Sequence, residues 1–331
     1  MEYDRIFDVK IGAEAIKLSR KFGVLPYMAQ RYILLFGAEG AESFLEAAIK
    51  GIPRSIRCNT LTMRDCGELV RRMEERGFSL RRSRIVPYGY YVEHEPFSLG
   101  SSPEHLQGHF FIQGVGSMAS VVALSPKPGE SVADLASAPG GKTTHMAQLM
   151  RNEGRIMSVD VDAKRISKLI SNIERMHVRN TVVVLGDILK IKFGEGSFDR
   201  VMLDAPCTGE GLIVYKKERL LTRTMEDLRR MSSYQVELLL KAYKLLRPGG
   251  IMAYVTCSIA PEENELVLSR ALEREEKIEI LETRLEGASN IPGVEEFNGV
   301  PLRSEVRLCL RLYPHTDGTE GFFICLLRRK E

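Results

Sequence analysis

Five apolar stretches, each separated from the next by a helical or loop segment, constrain this chain more than any other feature. From residue 131 onward SVADLAS, RIMSVDV, TVVVLGD, FDRVMLDAP and GIMAYVTCS follow one another in this way. Near-continuous apolar strands joined by long connections predict an α/β fold, with a mostly parallel sheet covered by helices on both faces. In open sheets of this kind, ligands sit beyond the carboxyl ends of the strands. The polar and reactive residues of the chain fall at those ends.

The first strand runs into SAPGGKTTH, where Pro139, Gly140 and Gly141 tighten the turn and let backbone amides face a ligand at a helix N-terminus. Gly140, Gly141, Lys142 and Thr143 resemble the end of a phosphate-binding G-x-x-x-x-G-K-[ST] loop. Ala136 stands where that loop needs its first glycine, so the segment is not that loop, and a nucleoside-type ligand is favoured over a plain structural turn. The second strand ends at Asp160, an offset from Asp134 at which a carboxylate can accept hydrogen bonds from ribose hydroxyls. Asp187 and Asp204 end the third and fourth strands. Helix capping accounts for one or two such acids but not readily for three in succession.

Cys207 in DAPCTGEG and Cys257 in VTCSIAPEENE follow the fourth and fifth strands and are expected to face one pocket. A buried cysteine is ordinarily an inert small hydrophobe, but a pair placed beside Asp204 fits a specific chemistry. Carbon 5 of cytosine is too weak a nucleophile to attack a methyl sulfonium. A thiolate adding to carbon 6 first makes carbon 5 enamine-like. Asp204, with its pKa raised by burial, would support that addition at the ring N3. The other cysteines, Cys58, Cys66, Cys309 and Cys325, form no C-x-x-C pair, which argues against zinc. Dispersed along a chain whose first residues lack an apolar signal core, they are expected to be reduced thiols in a cytoplasmic protein.

No stretch is long and apolar enough to span a bilayer; the richest, FGVLPYMAQRYILLFGAEG, carries Arg31 in its middle. The net charge of +3 is unevenly spread, with nine arginines against four acids from Arg54 to Arg84 and six basic residues against three acids from Lys216 to Arg230. Either run could be a solvated face or a phosphate-contacting one. Residues 1–53 read as a helical segment with a turn at Gly37 and Gly40. Residues 54–110 read as a small α+β module, whose arginine-rich helix and Tyr88, Tyr90 and Tyr91 would suit backbone neutralisation and base stacking on RNA, and residues 111–331 as the large α/β domain. Abundant Arg, Lys and Glu beside few Gln point to a heat-adapted source.

At six colinear segments the chain resembles the Nol/Nop/Sun family of RNA cytosine methyltransferases: RCNTL, QGVGSMAS, LASAPGGKTTHMAQL, DAPCTGEG, YVTCSIAPEENE and YPHTDGTEGFFI. The resemblance implies a Rossmann-like class I methyltransferase domain preceded by an RNA-recognition-like module, with S-adenosylmethionine as cofactor and no metal. Its cofactor residues would be Ala136, Ser137, Ala138, Pro139, Gly140, Gly141, Lys142, Asp160, Arg165, Asp187 and Asp204. Cys257 would be the nucleophile and Cys207 would assist release of methylated RNA, with Lys142 and Asp204 at the target base. Ser137 and Ala138 precede Pro139 where the family often has two alanines, and Thr208 with Glu210 replaces a serine and a smaller residue. The short N-terminal part favours transfer RNA over ribosomal RNA as substrate. The third reading is an RNA-binding assembly factor without catalysis, against which the joint presence of Cys207, Cys257, Lys142 and Asp204 argues. Nothing in the sequence sets an oligomeric state.

Overall fold

The computed structural model describes residues 2–192 and 194–331; Met1 and Phe193 lie outside it. The N-terminal segment forms α1 (Ala13–Phe22), closed by Gly23 in the left-handed region (φ 64°), and α2 (Pro26–Lys50), which starts on a proline. Gly37, at φ 73° and ψ 173°, breaks α2 at the expected turn. Leu18, Met28, Tyr32, Phe44 and Leu45 form one apolar cluster with Ile213, Val214, Leu220, Ile259 and Tyr313. The segment is therefore packed against the chain that follows both reactive cysteines.

Arg31 lies on the buried face of α2, with only 2% of its side chain exposed. Its guanidinium donates from Nε and Nη2 to the two oxygens of Glu262, at 2.8 and 2.7 Å, and from Nη1 to Glu210 at 2.6 Å. A bidentate fork of this kind is what makes a buried arginine tolerable. The charge that ruled out a membrane span is the bolt that holds α2 to the cysteine loops.

The small module contains β1 (Arg54–Cys58), α3 (Cys66–Glu75), β2 (Ser79–Arg82), β3 (Gly89–His94), the single turn α4 (Pro103–Leu106) and β4 (Phe110–Ile112). The strands form an antiparallel sheet in the order β2-β3-β1-β4, so the sheet runs two residues past the expected boundary at 110. Asp65 caps α3 by accepting from the Gly67 amide. Two expectations fail here. Tyr90 and Tyr91 are buried in apolar clusters, and Tyr88 hydrogen-bonds His145 at 2.7 Å, so these rings are packing rather than exposed stacking platforms. Much of the arginine run is already paired: Arg54 with Glu95, Arg72 with Glu68, Arg76 with Glu104 and Arg81 with Glu93.

The cysteine expectation also fails for four residues. Cys58 at the end of β1 and Cys66 at the start of α3 form a disulfide, their Cα atoms 6.0 Å apart. Cys309 and Cys325 form another, because the antiparallel pairing of Leu310 with Ile324 sets them opposite each other. Spacing along the chain hid both contacts.

After α5 (Val115–Leu124) comes the alternation read from sequence: β5 (Ser131–Leu135), α6 (Gly141–Leu149), β6 (Arg155–Asp160), α7 (Ala163–Arg175), β7 (Thr181–Leu185), β8 (Phe198–Asp204), the short α8 (Arg219–Thr222), α9 (Met225–Tyr243) and β9 (Leu246–Thr256). The parallel order is β7-β6-β5-β8-β9. Phe322–Arg329 then adds antiparallel to β9, followed by Leu310–Leu312 and Ile291–Pro292, with Ile278–Leu281 also paired to Phe322–Arg329. β5 is buried throughout, as a central parallel strand must be. The strand order reverses between β5 and β8, which opens a crevice at their carboxyl ends. No helix among the described residues is long and apolar enough to cross a membrane.

Replacing Arg31 by Met would leave Glu210 and Glu262 buried without their counter-charge. Arg31→Met is expected to lower stability by about 3–5 kcal/mol, measured as an earlier denaturant midpoint at unchanged slope.

Candidate active site

A cavity of about 240 Å³ lies at the β5/β8 crevice, lined by the loop after β5, the start of α5 and Asp204. The loop holds an unusual backbone: Ala136 has φ 65° and Gly140 φ 103°. A Cβ on Gly140 would lie 2.8 Å from Leu169 of α7, so both conformation and space demand glycine there. Ser137 donates to the Val159 carbonyl and the Ala138 amide to Asp160 at 3.0 Å. Arg165 donates to the Ala138 carbonyl and pairs with Asp160 at 3.4 Å. Asp160 and Arg165 thus brace the loop from behind. Asp187 accepts from the Leu189 amide and pairs with Lys190, away from this cavity's lining.

The cavity wall carries two buried acceptors without a partner, Gln113 Oε1 and Asp134 Oδ1. Burial pushes the Asp134 carboxyl up to about 7, against the opposing hydrogen bond from Thr143. Orphaned acceptors facing a polar cavity are a sign that a donor belongs there. Neither was singled out from sequence, although Gln113 opens the segment QGVGSMAS.

At the far end of the cavity, Lys142 donates to Asp204 at 2.8 Å and to Ser117 at 3.1 Å. Burial works against its charge, but Asp204 and Cys257 outweigh burial and hold the amine protonated. Asp204 is not buried as expected: a third of its side chain is exposed, because it is the last residue of β8, at the open edge of the crevice, as the ion-pair partner of Lys142. Cys207 and Cys257, the two free cysteines among the described residues, do meet, with sulfurs 3.1 Å apart. The hydrogen bond to Cys257, then burial, pushes the Cys207 thiol well above its usual range, so Cys207 keeps its proton. Cys257 is the cysteine whose charge acts on Lys142.

The loops carrying the cysteines are fixed by backbone and carboxylates. Gly211 donates to the Cys257 carbonyl and Gly321 to the Gly211 carbonyl, both at 3.0 Å. A Cβ on Gly211 would fall 1.9 Å from the Gly321 oxygen, so only glycine permits this stack. Glu263 accepts from the Thr208 amide at 2.8 Å and its hydroxyl at 2.7 Å; Gln235 donates to Glu263 and to the Pro206 carbonyl. Glu210, Glu262 and Glu263 were missed from sequence as anything beyond motif residues. Their signal was three acids crowded beside two cysteines, with a lone arginine in an apolar stretch elsewhere.

The strand order, the glycine-bearing loop opening α6 and the ligand crevice at the switch point define a class I methyltransferase fold. A family model described as "16S rRNA methyltransferase RsmB/F" matches residues 121–328, and the chain belongs to that family. It is 34% identical over 309 residues to the tRNA (cytosine(49)-C(5))-methyltransferase of Pyrococcus abyssi, covering 91% of this chain and 95% of that protein. It is 34% identical over 320 residues to the 26S rRNA (cytosine-C(5))-methyltransferase nsun-1 of Caenorhabditis elegans, covering 94% of this chain and 47% of that one. The chain spans about half or less of the length of the ribosomal RNA relatives from nematode, yeast and mammals. A solved methyltransferase homologue from Pyrococcus horikoshii superposes with TM-score 0.84 at 39% identity, covering 96% of this chain and all of that one. NSun6 from the same organism, solved with SFG, gives 0.79 at 25% identity, covering 91% and 97%.

The folded value of Asp134, about 7, lies above its value in an unfolded chain. Its contribution is therefore fully present below about pH 4 and is lost as pH rises through 7. Asp134→Asn is expected to flatten this part of the stability profile, measured as a smaller fall in denaturant midpoint between about pH 5 and about pH 8 than in the parent.

Proposed function

We propose that the protein is an RNA (cytosine-5)-methyltransferase that uses S-adenosylmethionine and forms a covalent adduct through Cys257. The observation that carries this reading is the Cys207–Cys257 sulfur pair, 3.1 Å across, on the strands bordering the Lys142–Asp204 ion pair. A structural cysteine pair would not need a buried ammonium beside it.

The residues present fit the cofactor. Asp134 and Gln113 offer unpartnered acceptors to its amino group, the loop Ala136–Lys142 offers amides at the start of α6, and Asp160, paired with Arg165, and Asp187, paired with Lys190, stand at the next two strand ends. When bound there, S-adenosylmethionine supplies an electrophilic methyl group on a sulfonium. Lys142 would donate to the target ring at N3 while Asp204 accepts from its amino group, and Cys257, its proton passed to water, would add to carbon 6. For release, the proton on carbon 5 leaves to water and its electron pair forms the carbon 5–carbon 6 double bond. The carbon 6–sulfur bond breaks, and Cys257 departs as thiolate. Cys207 S–H, which keeps its proton, stabilises the departing sulfur by a hydrogen bond.

Transfer RNA is the favoured substrate, on the likeness to the archaeal transfer-RNA enzyme at 34% identity over 309 residues. A cytoplasmic location fits that substrate. The basic run 216–230 is its proposed contact.

Cys257→Ala is expected to abolish methyl transfer from labelled cofactor while leaving cofactor binding intact. Cys207→Ala is expected to accumulate a covalent RNA adduct, seen as a slow band on a denaturing gel. Mapping 5-methylcytosine in a pool of unmodified transfer and ribosomal RNA tests the substrate. Defined transfer-RNA cytosines are expected, and modification confined to ribosomal RNA would replace that substrate.

A further inference from the structure

The acid run after Cys257, APEENE, places three buried carboxylates within four residues, and each holds a different part of the site. Glu262 binds Arg31 of α2, Glu265 binds Arg311, and Glu263 alone reaches across to the loop of the other cysteine. Both oxygens of Glu263 reach that loop, and the carboxylate is also hydrogen-bonded by the Ser258 side chain, next to Cys257. One accepts from the backbone amide and the other from the hydroxyl of Thr208, the residue immediately after Cys207.

The residue immediately before Cys207 is held by the same cluster. Gln235 of α9 donates to the Pro206 carbonyl at 2.7 Å and, from the same nitrogen, to Glu263 at 3.2 Å. Arg219 donates to the Thr208 carbonyl. The peptide units on both sides of Cys207 are therefore tied to one fully buried carboxylate that begins six residues after Cys257. Glu263 also acts on Cys207 through its charge, helping to push the thiol up.

We infer that Glu263 is a positioning residue for the release half of the reaction, fixing the Cys207 S–H against the departing Cys257 sulfur. The inference rests on the reading that Cys207 assists release. The two cysteines sit on separate loops, and a sulfur–sulfur hydrogen bond needs both loops registered to a few tenths of an ångström. Glu263 supplies that register, because it comes from the Cys257 loop and grips the Cys207 loop. Carbon 6 attack by Cys257 does not use this grip. Its loss therefore falls on release rather than on addition.

The test separates the two half-reactions: single-turnover methyl transfer from labelled cofactor, and the fraction of protein trapped as covalent RNA on a denaturing gel. In Glu263→Ala, release is expected to slow by about 10²-fold, the scale of an ångström-level misplacement, with adduct accumulating and methyl transfer slowed far less. Glu263→Gln keeps an acceptor for the Thr208 amide and a donor for its hydroxyl, and is expected to restore release. If Glu263→Ala does not fold, judged by thermal unfolding, Thr208→Val removes one arm of the grip at constant shape and is expected to trap a smaller fraction of adduct. Wild-type release in Glu263→Ala or, failing its folding, in Thr208→Val, while Cys207→Ala traps, would overturn the positioning role alone. Absence of adduct in Cys207→Ala itself would overturn the release role and this inference with it.

Discussion

A buried arginine with its charge satisfied from two directions is the constraint on which the rest of this structure depends. Arg31 cannot sit in a low-dielectric interior unless Glu262 and Glu210 meet it, and each glutamate follows one of the two reactive cysteines by a few residues. Satisfying one guanidinium therefore sets three segments at once: α2, the loop after β8 and the loop after β9. Arg311 repeats the device on the C-terminal strands, forking onto Glu265 and donating to the Ile259 carbonyl at 3.0 Å. Such pairs contribute modestly to net stability compared with apolar packing of the same volume, but breaking one is costly, which favours a single arrangement of the loops.

That arrangement matters because the sheet supplies only coarse placement. Parallel pairing of β8 with β9 brings the strand ends carrying Cys207 and Cys257 side by side, with Asp204 opposite Val255. The remaining distance to a 3.1 Å sulfur contact is set by the loops, through the Gly211 and Gly321 backbone stack and the carboxylates of APEENE. Lys142 arrives from the other half of the fold, at the start of α6, and its ion pair with Asp204 joins the cavity under β5 to the cysteines. The cavity lining ends at Lys142 and Asp204, and the sulfur pair lies on the loops after β8 and β9, outside that lining.

The sheet, the loop and the meeting of the cysteines were legible because apolar periodicity and strand-end position are local signals. The α/β alternation and the break at Gly37 belong to this class. What sequence could not show was where charges and rings go once elements pack. Tyr90 and Tyr91 look like stacking residues until their strands pair, when the sheet buries them. Cys309 and Cys325 look isolated until antiparallel pairing sets them opposite each other. Asp204 ends an apolar strand, which suggested burial, yet it lies just beyond the covered part and keeps a third of its side chain exposed. Arg31 was visible as a charge in an apolar stretch, but its partners stand about 180 and 230 residues away, beyond any local pattern.

The most direct test of the account is to map the cysteine bound to RNA in which the target cytosine carries fluorine at carbon 5. Fluorine leaves no proton to remove after methyl transfer, so the adduct cannot eliminate and can be digested to a single cross-linked peptide. The account predicts that the peptide contains Cys257, with the methyl group on the bound ring. A cross-link at Cys207 would contradict the assignment of the nucleophile, and efficient methylation without any cross-link would contradict the covalent mechanism itself.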